Sequence, residues 1–224
     1  AIVLVIVTLL IGGLAAPLSA QIQARRVAET RQLLQEARDA VLGYAMTHAA
    51  ATPGRRHLPC PDTDVPPDGR ENRSAGQCDS STGTLPWVAL GTAPHDAWGN
   101  RLRYAVIQQY ADSSSGFSAS SGLPDPLKVC STRSCTIADV ADNLVVVLVS
   151  HGPNGWGAHN VNGTTQAAPS GPDETQNLNL SRTYVSRAPT QPGSAAGEFD
   201  DLLIWLSRDQ LVARVCPPGS DCNP

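Results

Sequence analysis

The sequence predicts an α+β protein: a long N-terminal helix, hydrophobic in its first half and amphipathic in its second, packed on a small antiparallel sheet with long disulfide-stapled loops. Three observations predict it. Residues 1–20 (AIVLVIVTLLIGGLAAPLSA) carry no charge, and residues 21–50 stay free of Gly and Pro until Gly43 while turning charged and amphipathic. Three short segments downstream have strand patterning. Six cysteines fall in three near pairs, set in a chain with 19 glycines and 18 prolines.

At about 1.5 Å of rise per residue, a run of this length spans roughly 30 Å, the hydrocarbon thickness of a bilayer. Its apolar surface comes from Ile2, Val3, Leu4, Val5 and Ile6, then from Leu9, Leu10, Ile11 and Leu14. Gly12-Gly13 and Pro17 mark a weak point where a kink or melted turn is expected, because Pro removes a helix hydrogen bond. A signal peptide would end at a small-residue site, and Leu18-Ser19-Ala20 before Gln21 is one. No basic segment precedes the run, however, and helical patterning continues through that site, so a retained transmembrane helix is expected. The run opens without Met, which puts the expected start of the chain upstream of Ala1.

In the second half, Val27, Leu34 and Val41 recur every seven residues, with Thr30, Ala37 and Tyr44 interleaved. That 3-4 stripe is a packing face. It is narrow, so the helix can lie on its own domain and still offer its other sides to neighbours. The reading divides the chain into a half-helix over 1–20, an amphipathic half-helix over 21–50 and a loop-rich head over 51–224.

From Thr52 to Gly99 the chain is rich in Pro, Gly, Asp and Ser, and reads as a long connection without regular structure. A loop of that length needs a staple. Cys60 and Cys78 would supply it, with Leu85, Trp87, Val88 and Leu90 anchoring the chain to the core. Asp96-Ala97-Trp98-Gly99-Asn100 reads as a turn, and Arg101–Ile107 alternates like a half-buried strand. Asn143–Ser150 (NLVVVLVS) reads as a strand covered on both faces, and Phe199–Leu206 as a third strand. The polar tract His151–Glu198 between them reads as a surface excursion. DQLVARV closes the head as a short helix.

Net charge is −4 and only 16% of residues are charged, a balance unlike that of nucleic-acid binders. Many connectivities are open to six cysteines. The near pairs Cys60/Cys78, Cys130/Cys135 and Cys216/Cys222 each clip one local Gly/Pro/Ser/Asp-rich segment, so three local disulfides are expected. No C-x-x-C pair suggests zinc. Disulfides imply an oxidising compartment such as the periplasm or cell exterior. Ser150 and His151 adjoin, but sequence adjacency does not make a catalytic pair, which needs the base to approach the nucleophile in space and a third group to orient it. These and His159 read as turn residues, and Trp98 and Trp156 as aromatics covering the core. Asp200 and Asp201, with Asn154, Asn160, Asn162 and Asp173, could gather around Ca²⁺, which takes six to eight oxygens from flexible loops.

With these pieces in place, the chain resembles the type IV pilin-like family, most closely the pseudopilins of type II secretion systems. AIVLVIVTLLIGGL…P is similar to the pilin transmembrane half-helix, continued by ARRVAETRQLLQEARDAVLGYA. LPWVALG…DAWGNRLRYAV resembles the D-x-W-G-N-x-x-x-Y turn and first strand of major pseudopilins. VVVLVSHGPNG matches the second strand and its S-x-G-x-[DN]-G exit, and EFDDLLIWLS the third. Together they cover about half of the residues.

The resemblance implies a non-enzymatic, minor or accessory structural subunit of a secretion pseudopilus or pilus-like fibre. Its partners would be other pilin-like subunits, the inner-membrane assembly platform and the lipid bilayer. The subunit would sit in a bacterial inner membrane with its head in the periplasm, or in the assembled fibre at the cell surface. The family's cleavage site and N-methylated residue would lie before Ala1, so neither is assigned to a residue here. No cofactor is required. Major pseudopilins hold calcium in the loop before their last strand, so the resemblance supports the location of the Asp200, Asp201 and Asn154 group, although the longer excursion here does not match the family residue by residue. The competing readings are an exported periplasmic enzyme or ligand-binding domain behind a signal peptide or anchor, and a pilin-like adhesin.

Overall fold

The computed structural model describes residues 2–224, with side chains from Leu18 onward. Helix α1 (Ile2–Thr47) is followed by a mixed α/β head. On α1, Thr30, Leu34, Ala37, Val41 and Ala45 are no more than 1% exposed and Tyr44 is 8% exposed, while Val27 is half-buried. These residues face strands β6 (Ala141–Ser150) and β8 (Leu202–Ser207) and helix α5 (Arg208–Val215). Thr30 does more than pack, since its Oγ1 accepts a hydrogen bond from the Ala97 amide at 3.2 Å and ties the helix to the Asp96 turn. The residues from Ile2 to Leu14 expected to face a bilayer lie outside those whose side chains are described, and α1 is helical through Gly12, Gly13 and Pro17, without the melted turn expected there. Of the apolar residues that follow, Leu18 is 58% and Ile22 46% exposed. Among the described residues no helix is long and apolar enough to cross a membrane.

The connection after α1 carries more regular structure than its composition predicts. It contains a two-residue hairpin of β1 (Arg73–Ser74) and β2 (Gln77–Cys78), then β3 (Thr82–Thr84) and helix α2 (Trp87–Leu90). Ala75 and Gly76 at the hairpin tip both have positive φ, 50° and 89°, as the primed two-residue turns require. Glu71 organises this region, accepting from the Cys60 amide at 2.9 Å, the Tyr44 hydroxyl at 2.8 Å and Arg73 Nη2 at 2.8 Å. Part-buried side chains thus replace the repetitive hydrogen-bond ladder that the sequence lacks.

Strand β6 is the spine of the main sheet. β4 (Arg103–Val106) and β8 pair antiparallel with its second half, one on each edge, and β3 extends the sheet beyond β4. β5 (Leu127–Cys130) pairs antiparallel with the first part of β6. Residues 144–150 of β6 are buried, as a strand covered on both faces demands. The sheet is larger than three strands and is not wholly antiparallel, since β7 (Thr183–Val185) runs parallel to β5. Helix α3 (Gln108–Ala111) closes β4, and α5 begins with a capping box between Ser207 and Gln210.

The tract 151–198 corrects the reading of a surface excursion. It folds back through helix α4 (Pro172–Leu178) and β7, burying Glu174, Asn177, Tyr184 and Val185. The Asn177 carboxamide acts as a surrogate strand edge, donating to the Val185 carbonyl at 3.0 Å and accepting from the Val185 amide at 2.7 Å. The last strand starts at Leu202 because Phe199 instead pairs with Thr190 in the preceding loop. Disulfides join Cys60–Cys78, Cys130–Cys135 and Cys216–Cys222, with Cα separations of 5.2, 6.1 and 5.2 Å.

Candidate metal centre

Three segments converge just before β8: the turn after β6, the first turn of α4 and the Asp200-Asp201 pair. Gly152 lets the first approach the last. Its φ is 59°, and a Cβ there would sit 2.4 Å from both the carbonyl oxygen and Oδ1 of Asp200, so only glycine fits. α4 starts at Pro172, where a fixed φ suits the first helical position. Glu174 follows in the same turn and is 1% exposed.

Carboxylate oxygens of Glu174, Asp200 and Asp201 lie within 4.8 Å of one another. Glu174 Oε1 accepts from Asn154 Nδ2 at 2.9 Å and from the Asp200 amide at 3.0 Å, and Asp200 Oδ2 accepts from the Asn154 amide at 3.1 Å. Asp201 accepts from Asn177 Nδ2 at 2.8 Å, and its other oxygen faces His151 Nδ1 at 3.3 Å. Glu174 Oε2 and Asp200 Oδ1 are buried without a hydrogen-bond partner. Burial, opposed by the Asn154 amide and reinforced by the charges of Glu174 and Asp201, pushes the Asp200 carboxyl up to about 7. Burial, again the largest cause, raises Glu174 as well.

Two orphaned carboxylate oxygens and a third carboxylate within reach form an all-oxygen donor set. Its chemistry fits a hard divalent cation such as Ca²⁺, which neutralises clustered carboxylates. Asp200 and Asp201 also border a 700 Å³ cleft whose opposite wall is the Gln23, Val27 and Arg31 side of α1.

The structure thus brings Asp200, Asp201 and Asn154 together and adds Glu174. It does not bring Asn160, Asn162 or Asp173 to the cluster. Asn160 donates to Asn100, Asn162 accepts from Thr164, and Asp173 pairs with Arg187 at 2.7 Å. Ser150 and His151 diverge, the hydroxyl to Asp96 and the imidazole to Asp201. Glu174 carried no sequence signal, because an acid in the first turn of a helix within a polar tract reads as solvent-facing. Its neighbours Asn177 and Tyr184 make that turn an inside surface.

No protein-family model, curated protein or solved structure matches this chain.

Proposed function

We propose that this chain is a non-enzymatic, membrane-anchored subunit of a type II secretion pseudopilus or type IV pilus-like fibre, with the cluster around Glu174 holding a structural calcium ion. The observation that carries the reading is the division of labour along α1. The face from Thr30 to Ala45 is sewn into the head, whereas Leu18, near the end of an uncharged apolar run, and Ile22, just after it, are exposed. A helix of this kind can leave lipid for a bundle of like helices at little net cost, since one apolar surroundings replaces another. The head then forms the outer face of the fibre, and calcium pins the segment entering its last strand. Glu174, Asp200, Asp201 and Asn154 would hold the ion, which supplies charge neutralisation there and no reaction step.

The test is Leu9→Arg. A charge at the middle of a membrane helix costs about 2.5–3.5 kcal/mol on insertion scales, and the head should not register it. The variant is expected to keep three disulfides and a folded head while losing membrane retention and fibre incorporation. Co-purification of Leu9→Arg with the fibre at normal yield overturns the proposal. So does a mature protein that starts at Gln21.

A further inference from the structure

Arg103 opens β4 and Arg101 lies two residues before it, so the two share one side of the chain, because alternate residues of an extended segment face the same way. Leu102 and Tyr104 between and after them are 2% and 0% exposed. Arg103 is half-buried, gives Nη2 to the Leu178 carbonyl at 2.6 Å and keeps a buried Nε with no partner. Arg101 lies 4.0 Å over the Trp87 ring and donates to the Pro94 carbonyl at 2.8 Å. Among the described residues, no carboxylate lies within the 4.0 Å ion-pair distance of either guanidinium.

Both arginines line a recess of about 50 Å³ that is walled by His151, His159 and the backbone at Gly83 and Gly157. The imidazoles already use Nδ1, His151 against Asp201 at 3.3 Å and His159 against the Thr165 hydroxyl at 3.0 Å. Asp62 is the one carboxylate whose charge acts on Arg101, and it is committed to the Gly69 and Asp64 amides at 2.6 and 2.9 Å. A part-buried guanidinium without a counter-charge is costly, and an anion that accepts from it recovers a strong, charge-assisted hydrogen bond. The recess exceeds the roughly 10–15 Å³ that one water needs, so it has room for a compact polyatomic ion.

We propose that this recess is a binding site for a small tetrahedral oxyanion of the inorganic phosphate class, held by Arg103 and Arg101 with His159 and His151 as its walls. The recess backs onto the carboxylate cluster through His151, whose Nδ1 faces Asp201 at 3.3 Å, but its two arginines belong to neither that cluster nor the fibre-core helix.

Isothermal titration of the full-length chain in detergent with inorganic phosphate tests it. One saturable site per chain is expected. Arg103→Lys, which removes the fork but keeps the charge, and Arg101→Gln should each weaken binding about tenfold or more. Arg214→Gln, at an exposed position on α5, should bind as the unsubstituted protein does. If Arg103→Lys loses its thermal transition, Arg101→Gln decides alone, because its side chain lies over Trp87 outside the core. Absence of saturable heat up to about ten millimolar phosphate overturns the proposal, as does equal affinity in a folded Arg101→Gln variant. Success or failure here leaves the outcome for Leu9→Arg unchanged.

Discussion

The Ser150 hydroxyl donates to Asp96 Oδ2 at 2.7 Å, and both residues are 0% exposed. This single bond joins two sequence motifs 54 residues apart, the DAWGN turn before β4 and the SHGPNG exit from β6. The other carboxylate oxygen of Asp96 accepts from the Trp98 and Asn100 amides, each at 2.9 Å. Asp96 therefore folds its own turn and fastens it to the end of the central strand. Burial raises its pKa, and the Ser150, Asn100 and Trp98 donors oppose the shift.

A double-mutant cycle should expose this joint. Asp96→Asn and Ser150→Ala are each expected to destabilise the head, and a hydrogen bond to a charged group contributes about 1.5–3 kcal/mol. Because the two share that bond, the double variant should lose less than the sum, with a coupling of about 1 kcal/mol or more. Chemical denaturation of all four proteins measures it, and simple additivity would show that the motifs fold independently.

The two halves of α1 should respond differently to truncation. Leu34 is 1% exposed within the core, so Leu34→Ala is expected to cost about 2–5 kcal/mol. Leu18 is 58% exposed, and Leu18→Ser should stay within about 0.5 kcal/mol on the same denaturation curve. A large loss at Leu18 would mean that the head's stability extends into the first half of the helix.

The features legible in the sequence were those written in periodicity. The stripe from Thr30 to Tyr44, the run that became β6, and DQLVARV each carry their pattern within one element. The cysteine spacing likewise marked the three disulfides, since each closes a local loop. What escaped were the elements whose partners are distant. Thr183–Val185 is too short to show alternation, and its pairing partner, Leu127–Cys130, lies more than fifty residues earlier. Helix α4 looked like a polar surface because its buried residues are Asp173, Glu174 and Asn177. Asp173 is tolerated inside by its ion pair with Arg187 and Asn177 by its bonds to Val185, whereas Glu174 has only one oxygen satisfied and its Oε2 is left without a partner. Composition cannot show any of this. The same failure hid Glu174 from the candidate centre. Asp200 and Asp201 are adjacent and conspicuous, whereas Glu174 reaches them only through the fold-back of the tract before them.

The candidate centre also makes a prediction with a defined sign in pH. The Asp200 carboxyl, at about 7 in the folded chain, sits well above its ordinary value of 3.8, and Glu174 is raised too. A carboxyl whose folded pKa is raised favours the fold most when protonated. Its contribution is full below about pH 4 and is lost as pH rises through about 7. In EGTA, the head should therefore be less stable at pH 8 than at pH 5 on account of this cluster. His57 and His159, whose pKa values burial lowers, act in the opposite direction over the same range. The informative quantity is thus the difference between the unsubstituted chain and Asp200→Asn, which keeps both histidines. That difference should favour the asparagine variant more at pH 8 than at pH 5. Calcium reverses the comparison, because it binds the ionised carboxylates and competes with their protons. At 100 times its dissociation constant, a ligand adds about 2.7 kcal/mol. At about 2–4 °C per kcal/mol for a domain of this size, the melting midpoint at pH 8 should rise by about 5–10 °C. The rise should shrink at pH 5 and vanish in Asp200→Asn and Glu174→Gln. An equal calcium response in those variants, or none in the unsubstituted chain at pH 8, removes the metal from this site.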